Sequence, residues 1–283
     1  MGKRICAERE AHLTAATLEE AYCQQGKTCD QIAREAGVAK ETVRQRLLRA
    51  GIAVRPREAY VRYRRLDVAP FRTLTSDRYA YWVGFLAADG HIGLYEREQQ
   101  GARGVKLDYV VAMKLSGKDA EHVYRFKRDL GADHPVRHTA YHGYTQARIE
   151  LRDRGLIEAL AMWGVGPHKA LTLTFPHHLP ASLVPAYVRG YFDGDGTVMV
   201  RDRVRWSEVV CRFISGSPTF LADLASTLGH NGITTGAIYL QGAHTHILPV
   251  SSKRENVRRF AAYLYTDATV WLPRKRTLLE EVA

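Results

Sequence analysis

The sequence predicts an α+β protein, a duplicated body of two halves that each run helix, two strands, helix, two strands, helix, behind a small all-α module. Three observations lead there. An acid followed at once by glycine closes an apolar helical run twice, at Asp89 and Asp195, 106 positions apart, and Lys169 and Lys275 repeat at the same offset. Segments of alternating polarity follow each acid, as half-buried strands require. Upstream, short helical patterns with start signals are bunched before residue 57.

The front module comes first in chain order. After a tail at 1–12, residues 13–57 read as three short helices. The strings TLEE (Thr17 to Glu20) and TCDQ (Thr28 to Gln31) each have a hydroxyl followed three residues on by Glu or Gln, the form of a capping box, and predict two helix starts. Ile32, Ala33, Ala36 and Val38 form the apolar set of the second helix, and Gly37 breaks it. Val43 and Leu47 give the i, i+4 stripe of a third helix that begins after Ala39 and stops at Gly51. The string QIAREAGVAKETVRQRLLRAGI resembles the helix-turn-helix modules of site-specific recombinases and small bacterial regulators. That resemblance makes 40–50 a recognition helix, with Thr42, Arg44, Gln45, Arg46 and Arg49 as its DNA-contacting set.

Charge agrees with a polyanionic partner. The net charge is +11, and from Lys40 to Arg65 nine basic residues stand against two acids, so most of the excess lies in one segment. Residues 58–76 have no clear period and read as a basic linker, where Arg62 and Arg64 interleave with tyrosines in a way that suits a phosphate backbone. The 46% hydrophobic fraction is that of a soluble globular protein, and no apolar run nears the roughly 18 residues of a membrane span. The start MGKRICAERE has no apolar segment behind it, which predicts no secretory signal and a cytoplasmic setting. Cys6, Cys23, Cys29 and Cys211 are scattered and read as reduced thiols.

The body divides into halves at 77–176 and 177–283. In the first, VKLDYVVAMKL is strand-like, GKDAEHVYRFKRDLG is a helix ended by Gly131, and VRHTAYHGYTQARIEL is a hairpin. In the second, RVRWSEVVCRFIS, SPTFLADLASTLG (ended by Gly229) and TTGAIYLQGAHTHILPVS follow the same order. The alternation predicts one apolar sheet face and one basic and aromatic face.

The helices before the acids carry small residues four apart, Gly84 and Ala88 in one, Gly190 and Gly194 in the other. Such a stripe lets two backbones approach closely, so the helices are expected to pack in parallel and bring Asp89 and Asp195 together. An acid at a helix C-terminus opposes the helix dipole by roughly 0.3–1 kcal/mol, and a second carboxylate adds repulsion. A cation removes both penalties. Carboxylates with neighbouring carbonyls are hard oxygen ligands that suit magnesium.

The phrases WVGFLAADG (82–90) and LVPAYVRGYFDGDGTV (183–198) resemble the two signature helices of the LAGLIDADG homing endonucleases, in the monomeric type with both motifs on one chain. The resemblance covers about residues 77–283. It implies a pseudo-twofold αββαββα fold whose saddle-shaped antiparallel sheets sit on double-stranded DNA, and a metal-dependent endonuclease that hydrolyses one phosphodiester in each strand of a long target. It further implies Asp89 and Asp195 as metal-binding catalytic acids, helped by the carbonyls of Ala88 and Gly194, and Lys169 and Lys275 as catalytic basic residues near the active sites that stabilise the growing phosphate charge or help to organise the attacking water. Magnesium is the implied cofactor, with manganese able to substitute and calcium expected to bind without supporting cleavage. Ala87 departs from the signature, where Asp193 keeps the acid; the resemblance implies a mainly structural acid there, so its loss is expected to perturb helix capping more than chemistry and to set the two metal sites apart. Candidates for base reading on the sheets are Lys106, Tyr109, Lys114, Tyr141 and Arg148 in the first half. In the second they are Arg201, Arg203, Arg205, Arg212, Tyr239 and Gln241.

Two rivals use the same fold, a non-catalytic transcription regulator and an RNA maturase. Retention of both acids favours the enzyme over the regulator; the sequence leaves the maturase open. His244-x-His246 lacks an evident third metal ligand and reads as polar sheet surface, and there is no phosphate loop of the G-x-x-x-x-G-K-[ST] kind. The chain neither starts with cysteine nor ends in His-Asn, which favours a free-standing enzyme over an intein. The expected setting is a bacterial nucleoid or a phage-infected cell.

Overall fold

A computed structural model describes residues 12–25, 27–54, 65–98, 105–141, 143–200 and 209–282, with backbone alone at 97–98, 105–106, 141 and 282. The chain forms two compact units, residues 1–63 and 64–283. The boundary falls inside the stretch read as linker. Of the candidate DNA contacts, Arg62, Arg64, Arg201, Arg203 and Arg205 lie outside the described residues, as do the side chains of Lys106 and Tyr141.

In the first unit, α1 (Ala15–Leu18) continues as a π-helical turn over Glu19–Gln24, followed by α2 (Cys29–Ala36) and α3 (Lys40–Arg49). Thr28 and Gln31 form the expected capping box, and Gly37 closes α2 at φ 65°, a left-handed turn that glycine adopts without penalty. The other expected cap is corrected. Thr14 caps α1 by accepting from the Thr17 amide, while the Thr17 hydroxyl turns back to the carbonyls of His12 and Thr14. Thr17 is therefore inside the helix, because an equally good capping hydroxyl stands three residues earlier. Ala39 gives α3 no side-chain cap. Leu18, Tyr22, Cys29, Ile32, Val43 and Leu47 form this unit's small core.

The second unit opens with α4 (Ala69–Arg72) and repeats one pattern twice. The first half runs α5 (Asp77–Asp89), β1 (Gly90–Glu98), β2 (Val105–Ser116), α6 (Ala120–Asp129), β3 (Arg137–Tyr141), β4 (Tyr144–Leu151), α7 (Arg154–Ala161) and α8 (Lys169–Thr172). The second runs α9 (Val184–Asp195), β5 (Thr197–Val200), β6 (Val209–Ser215), α10 (Pro218–His230), β7 (Tyr239–Gln241), β8 (Thr245–Val250), α11 (Arg254–Tyr265) and α12 (Pro273–Val282). Each half has a four-stranded antiparallel sheet, ordered β1-β2-β4-β3 and β5-β6-β8-β7. One face of each is buried, through Val111, Met113, Leu115, Ala147 and Ile149 in the first and Val209, Cys211, Phe213 and Leu248 in the second.

One expected helix end moves. Gly229 lies within α10, and the left-handed turn is made by Gly232 at φ 71°, because Leu228 is still a core residue and holds the last turn in place. Gly131, at φ 58°, does follow α6 as read from the sequence.

Candidate active site

The site is built on α5 and α9, the central helices of the second unit. Their contact is reciprocal. A Cβ on Gly84 would overlap the carbonyl oxygen of Tyr187, and a Cβ on Gly190 would overlap that of Tyr81, so only glycine allows the backbones this close. Gly84 and Gly190, like Tyr81 and Tyr187, are 106 positions apart, and the contact therefore obeys a local twofold. Further along, Gly194 abuts the Ala88 side chain and the Asp89 backbone. The four residues read as an interface stripe all lie in this contact, and the helices run the same way.

Their C-terminal ends consequently bring Asp89 and Asp195 into one electrostatic neighbourhood. The Asp89 carboxyl is raised to about 6, first by burial and then by the negative charge of Asp195, with Lys169 and Lys275 acting the other way. Asp89 lies open to solvent on one side while protein surrounds it on the others. Burial raises Asp195 too, against the pull of both lysines. Each lysine is fastened to the helix end of its own half. Lys169 Nζ donates to the carbonyls of Ala87 (2.8 Å) and Ala88 (2.6 Å). Lys275 Nζ donates to those of Phe192 (2.7 Å), Gly194 (3.1 Å) and Gly196 (2.6 Å). The ammoniums neutralise the negative helix ends that the acids aggravate. The Ala88 and Gly194 carbonyls, expected as metal ligands, thus already accept one hydrogen bond each and keep a second lone pair.

The halves differ one turn before the acids. Asp193, buried, accepts hydrogen bonds from the Tyr81 hydroxyl (2.9 Å), the Tyr265 hydroxyl (2.9 Å) and the Leu272 amide (2.6 Å). Burial still lifts it to about 6. Its bond to Leu272 fixes the chain just before α12, the helix that carries Lys275. Tyr81 also meets buried His122 (2.8 Å), whose imidazole is pushed down to about 3 by burial and by the charges of Arg125 and Arg274. Ala87 stands where Asp193 stands in the other half, and a cavity of about 150 Å³ opens there, lined among others by Ala87, Lys169, Tyr191, Asp195 and Thr245.

Sequence reading missed Arg189. This buried guanidinium donates to the carbonyls of Val270 and Leu264 and to Asp77 (2.6 Å), while Asp77 also accepts from the amide and hydroxyl of Thr269. It thereby ties the start of α5 to the loop ahead of α12. An arginine inside the apolar run AYVRGYF, four residues before Asp193, was the available signal.

The remaining candidates are spread over surfaces. On the first sheet Lys114 and Arg148 are register partners, both exposed on the face away from the core, and Arg148 pairs with Glu150. Tyr109 does not join them. It stands on the core side, packed against the core with Arg154 over its ring, because strand residues five apart point to opposite faces. On the second sheet Arg212, Tyr239 and Gln241 share the outward face. In the first unit Arg44 and Gln45 are exposed and both donate to Glu41 (2.9 Å each), Arg49 is exposed, Thr42 is half-buried, and Arg46 reaches the Leu13 carbonyl. His244 and His246 form no metal cluster, and among the described residues no group of three His, Cys, Asp or Glu side chains is arranged to hold a metal ion.

Comparison with known proteins accords with this geometry. The family model for a LAGLIDADG-like domain matches residues 182–265. A search of curated proteins found no match. Among solved structures, the LAGLIDADG homing endonuclease I-GzeII in complex with its DNA target superposes at a TM-score of 0.50 with 11% identity, over 72% of this chain and 88% of that one. Meganuclease I-SmaMI bound to uncleaveable DNA gives 0.49 with 10% identity over 75% and 88%. I-DmoI in complex with DNA and calcium gives 0.47 with 17% identity over 71% and 96%. The chain thus carries a LAGLIDADG-like domain at 182–265, within a body that has the LAGLIDADG homing-endonuclease fold.

Proposed function

We propose that this protein is a site-specific DNA endonuclease that hydrolyses one phosphodiester in each strand of a long duplex target, using a divalent metal. The observation that carries the reading is the pair Asp89 and Asp195. They are brought to one seam by glycine-mediated helix contact, burial raises both carboxyls and the charge of Asp195 raises Asp89 further, and each half adds a lysine. Mutually repelling carboxylates at two helix C-termini destabilise a fold that has no use for them. Their fit to a metal follows from the donor set. Two carboxylates and two carbonyls are too few for an all-protein cage, which matches magnesium, an ion that keeps waters and shares phosphate oxygens. Manganese would substitute and calcium would bind without turnover.

In that arrangement Asp89 and Asp195 would hold the metal, with the free lone pairs of the Ala88 and Gly194 carbonyls beside them. A bound ion would supply charge stabilisation at the scissile phosphate and a more acidic water. The chain's own part is electrostatic and positional. Lys169 and Lys275, held on backbone carbonyls, keep positive charge beside the acids where negative charge grows on the phosphate. Lys114 and Arg148 on the exposed sheet face would contact the duplex, and α3 of the first unit, with Thr42, Arg44, Gln45, Arg46 and Arg49, would read or anchor neighbouring DNA as a helix-turn-helix. Joining two DNA-binding units in one chain raises affinity through effective concentration. On this reading the protein works as a monomer, in the cytoplasm of a cell that holds its target, and it spreads a mobile element.

The test is a cleavage selection on randomised duplexes with magnesium, run on the intact protein and on Asp89→Asn and Asp195→Asn. The parent should yield one long target, and each variant should lose at least about 100-fold in double-strand cleavage. Equal cutting by both variants would remove the acids from the mechanism. Specific binding without cleavage by the parent would make the protein a regulator, and preference for structured intron RNA would make it a maturase.

A further inference from the structure

We infer that the two sheets read their halves of the duplex by opposite chemistry: the first through charge and hydrogen bonds, the second through apolar contact with thymine methyl groups. This rests on the DNA reading above and deepens it. Strand register identifies equivalent rows. His91, two residues past Asp89, pairs with Ala112, and Thr197, two past Asp195, pairs with Arg212. One step further from the acids, the first sheet carries the row Lys114, Arg148, Arg137 across β2, β4 and β3. The same row of the second sheet, across β6, β8 and β7, is Ile214, Ile247, Tyr239. Three cations in one half are replaced by two isoleucines and a tyrosine in the other.

The contrast extends beyond that row. Asp108 and Glu150, on the first sheet's outward face, pair with Arg152, so charged side chains flank the buried Val110 and Ala112 on that face. On the second, Met199 pairs with Val210 and Pro249 lies beside Arg212, which is the one charged side chain among the described residues of that face. Tyr239, 46% exposed, and Met199, 38% exposed, are the apolar parts that reach outward, with Ile214 half-buried and Ile247 buried beneath, and the uncharged Gln241 and Thr245 are exposed at the far edge.

A base pair presents donors and acceptors to the major groove in every case, but only a pair containing thymine adds a methyl group. Apolar side chains pressed on a G·C edge leave its polar atoms dry and unpaired, a cost that A·T pairs partly return through methyl burial. The second sheet therefore selects A·T pairs with the methyl turned toward it. The first sheet's cations suit guanine edges and phosphates.

The experiment uses the full chain and the target found by selection. Thymine is replaced by uracil, which lacks only the methyl, in one half-site at a time, and Kd is measured for each duplex. Tyr239→Ala and Lys114→Ala, each re-selected on randomised duplexes, identify which half each sheet reads. Uracil in the half whose preferences change with Tyr239→Ala should weaken binding about fourfold for each buried methyl removed. In the other half the change should stay below about twofold. Equal sensitivity of both halves, greater sensitivity in the half altered by Lys114→Ala, or a second-sheet half selected without A·T pairs each overturns the inference. If no duplex is bound at all, the DNA reading itself falls, and this inference with it.

Discussion

The two halves of the body share one helix contact and diverge in how they brace it. Gly84 and Gly190 each sit on a carbonyl of the opposite helix, at positions related by the repeat, so neither half is privileged where backbones touch. One turn on, Asp193 gathers two hydroxyls and an amide, and Lys275 is 5% exposed with three carbonyl acceptors. The first half offers Ala87, which lines a cavity shared with the second half, and a half-buried Lys169 with two acceptors. Close approach is a steric demand that both helices must meet at once, so it stays symmetric. Bracing is a sum of separable hydrogen bonds, and one half carries most of it.

The largest expected effect tests the symmetric part. Gly84→Ala and Gly190→Ala should each cost about 3 kcal/mol or more in urea unfolding, and by similar amounts, because both added methyls meet backbone that has nowhere to move. A loss below about 1 kcal/mol in either variant would break the reciprocal packing. The lysines probe the divergent part. Lys275→Met orphans three carbonyls in a buried place and should cost about 3 kcal/mol, whereas Lys169→Met, with two acceptors and solvent nearby, should cost about 1 kcal/mol. Equal costs would mean that the halves are braced alike after all.

Asp193→Ala leaves the Leu272 amide and two tyrosine hydroxyls without their acceptor and should lower stability by about 2 kcal/mol. It should also loosen the chain ahead of α12, which hydrogen exchange at residues 270–275 would detect. The most gradual effect is a pH slope. His122 is held neutral in the folded state down to about 3, whereas the unfolded chain protonates it near 6.5, so its contribution to stability is complete above 6.5 and is lost as pH falls toward 3. Asp89 and Asp193, raised to about 6, work in the opposite direction: their charged forms weigh on the fold above about 6, and that burden lifts on acidification. The difference between parent and His122→Asn isolates the histidine, and should grow by at most about 1.4 kcal/mol per pH unit below 6.5. A variant with the parent's slope would show that His122 takes up its proton without unfolding.

Much of this arrangement was legible in advance. The 106-residue offset tied two acids to two lysines, and small residues four apart named the contact between the helices. Elements followed from alternation and from glycine stops. Reading failed where local signals were degenerate. Thr14 and Thr17 are both capping hydroxyls, and packing chose between them. Gly229 looked like a stop, but Leu228 kept the helix going into the core. Tyr109 was grouped with basic face residues although its parity sends it to the core side. Arg189 carried a signal, a charge in an apolar run, that points to burial without naming Asp77 as its partner.

The sequence by itself determined the duplication, the order of elements and the identity of the acids and lysines, because those are properties of spacing and residue type. Only the tertiary structure decided what each lysine holds, that Asp193 anchors Leu272, and that equivalent sheet rows carry cations in one half and apolar side chains in the other. Those facts depend on which backbone atoms and strand neighbours are brought within reach of a side chain. Contacts between residues 80 or more positions apart leave no periodic trace along the chain.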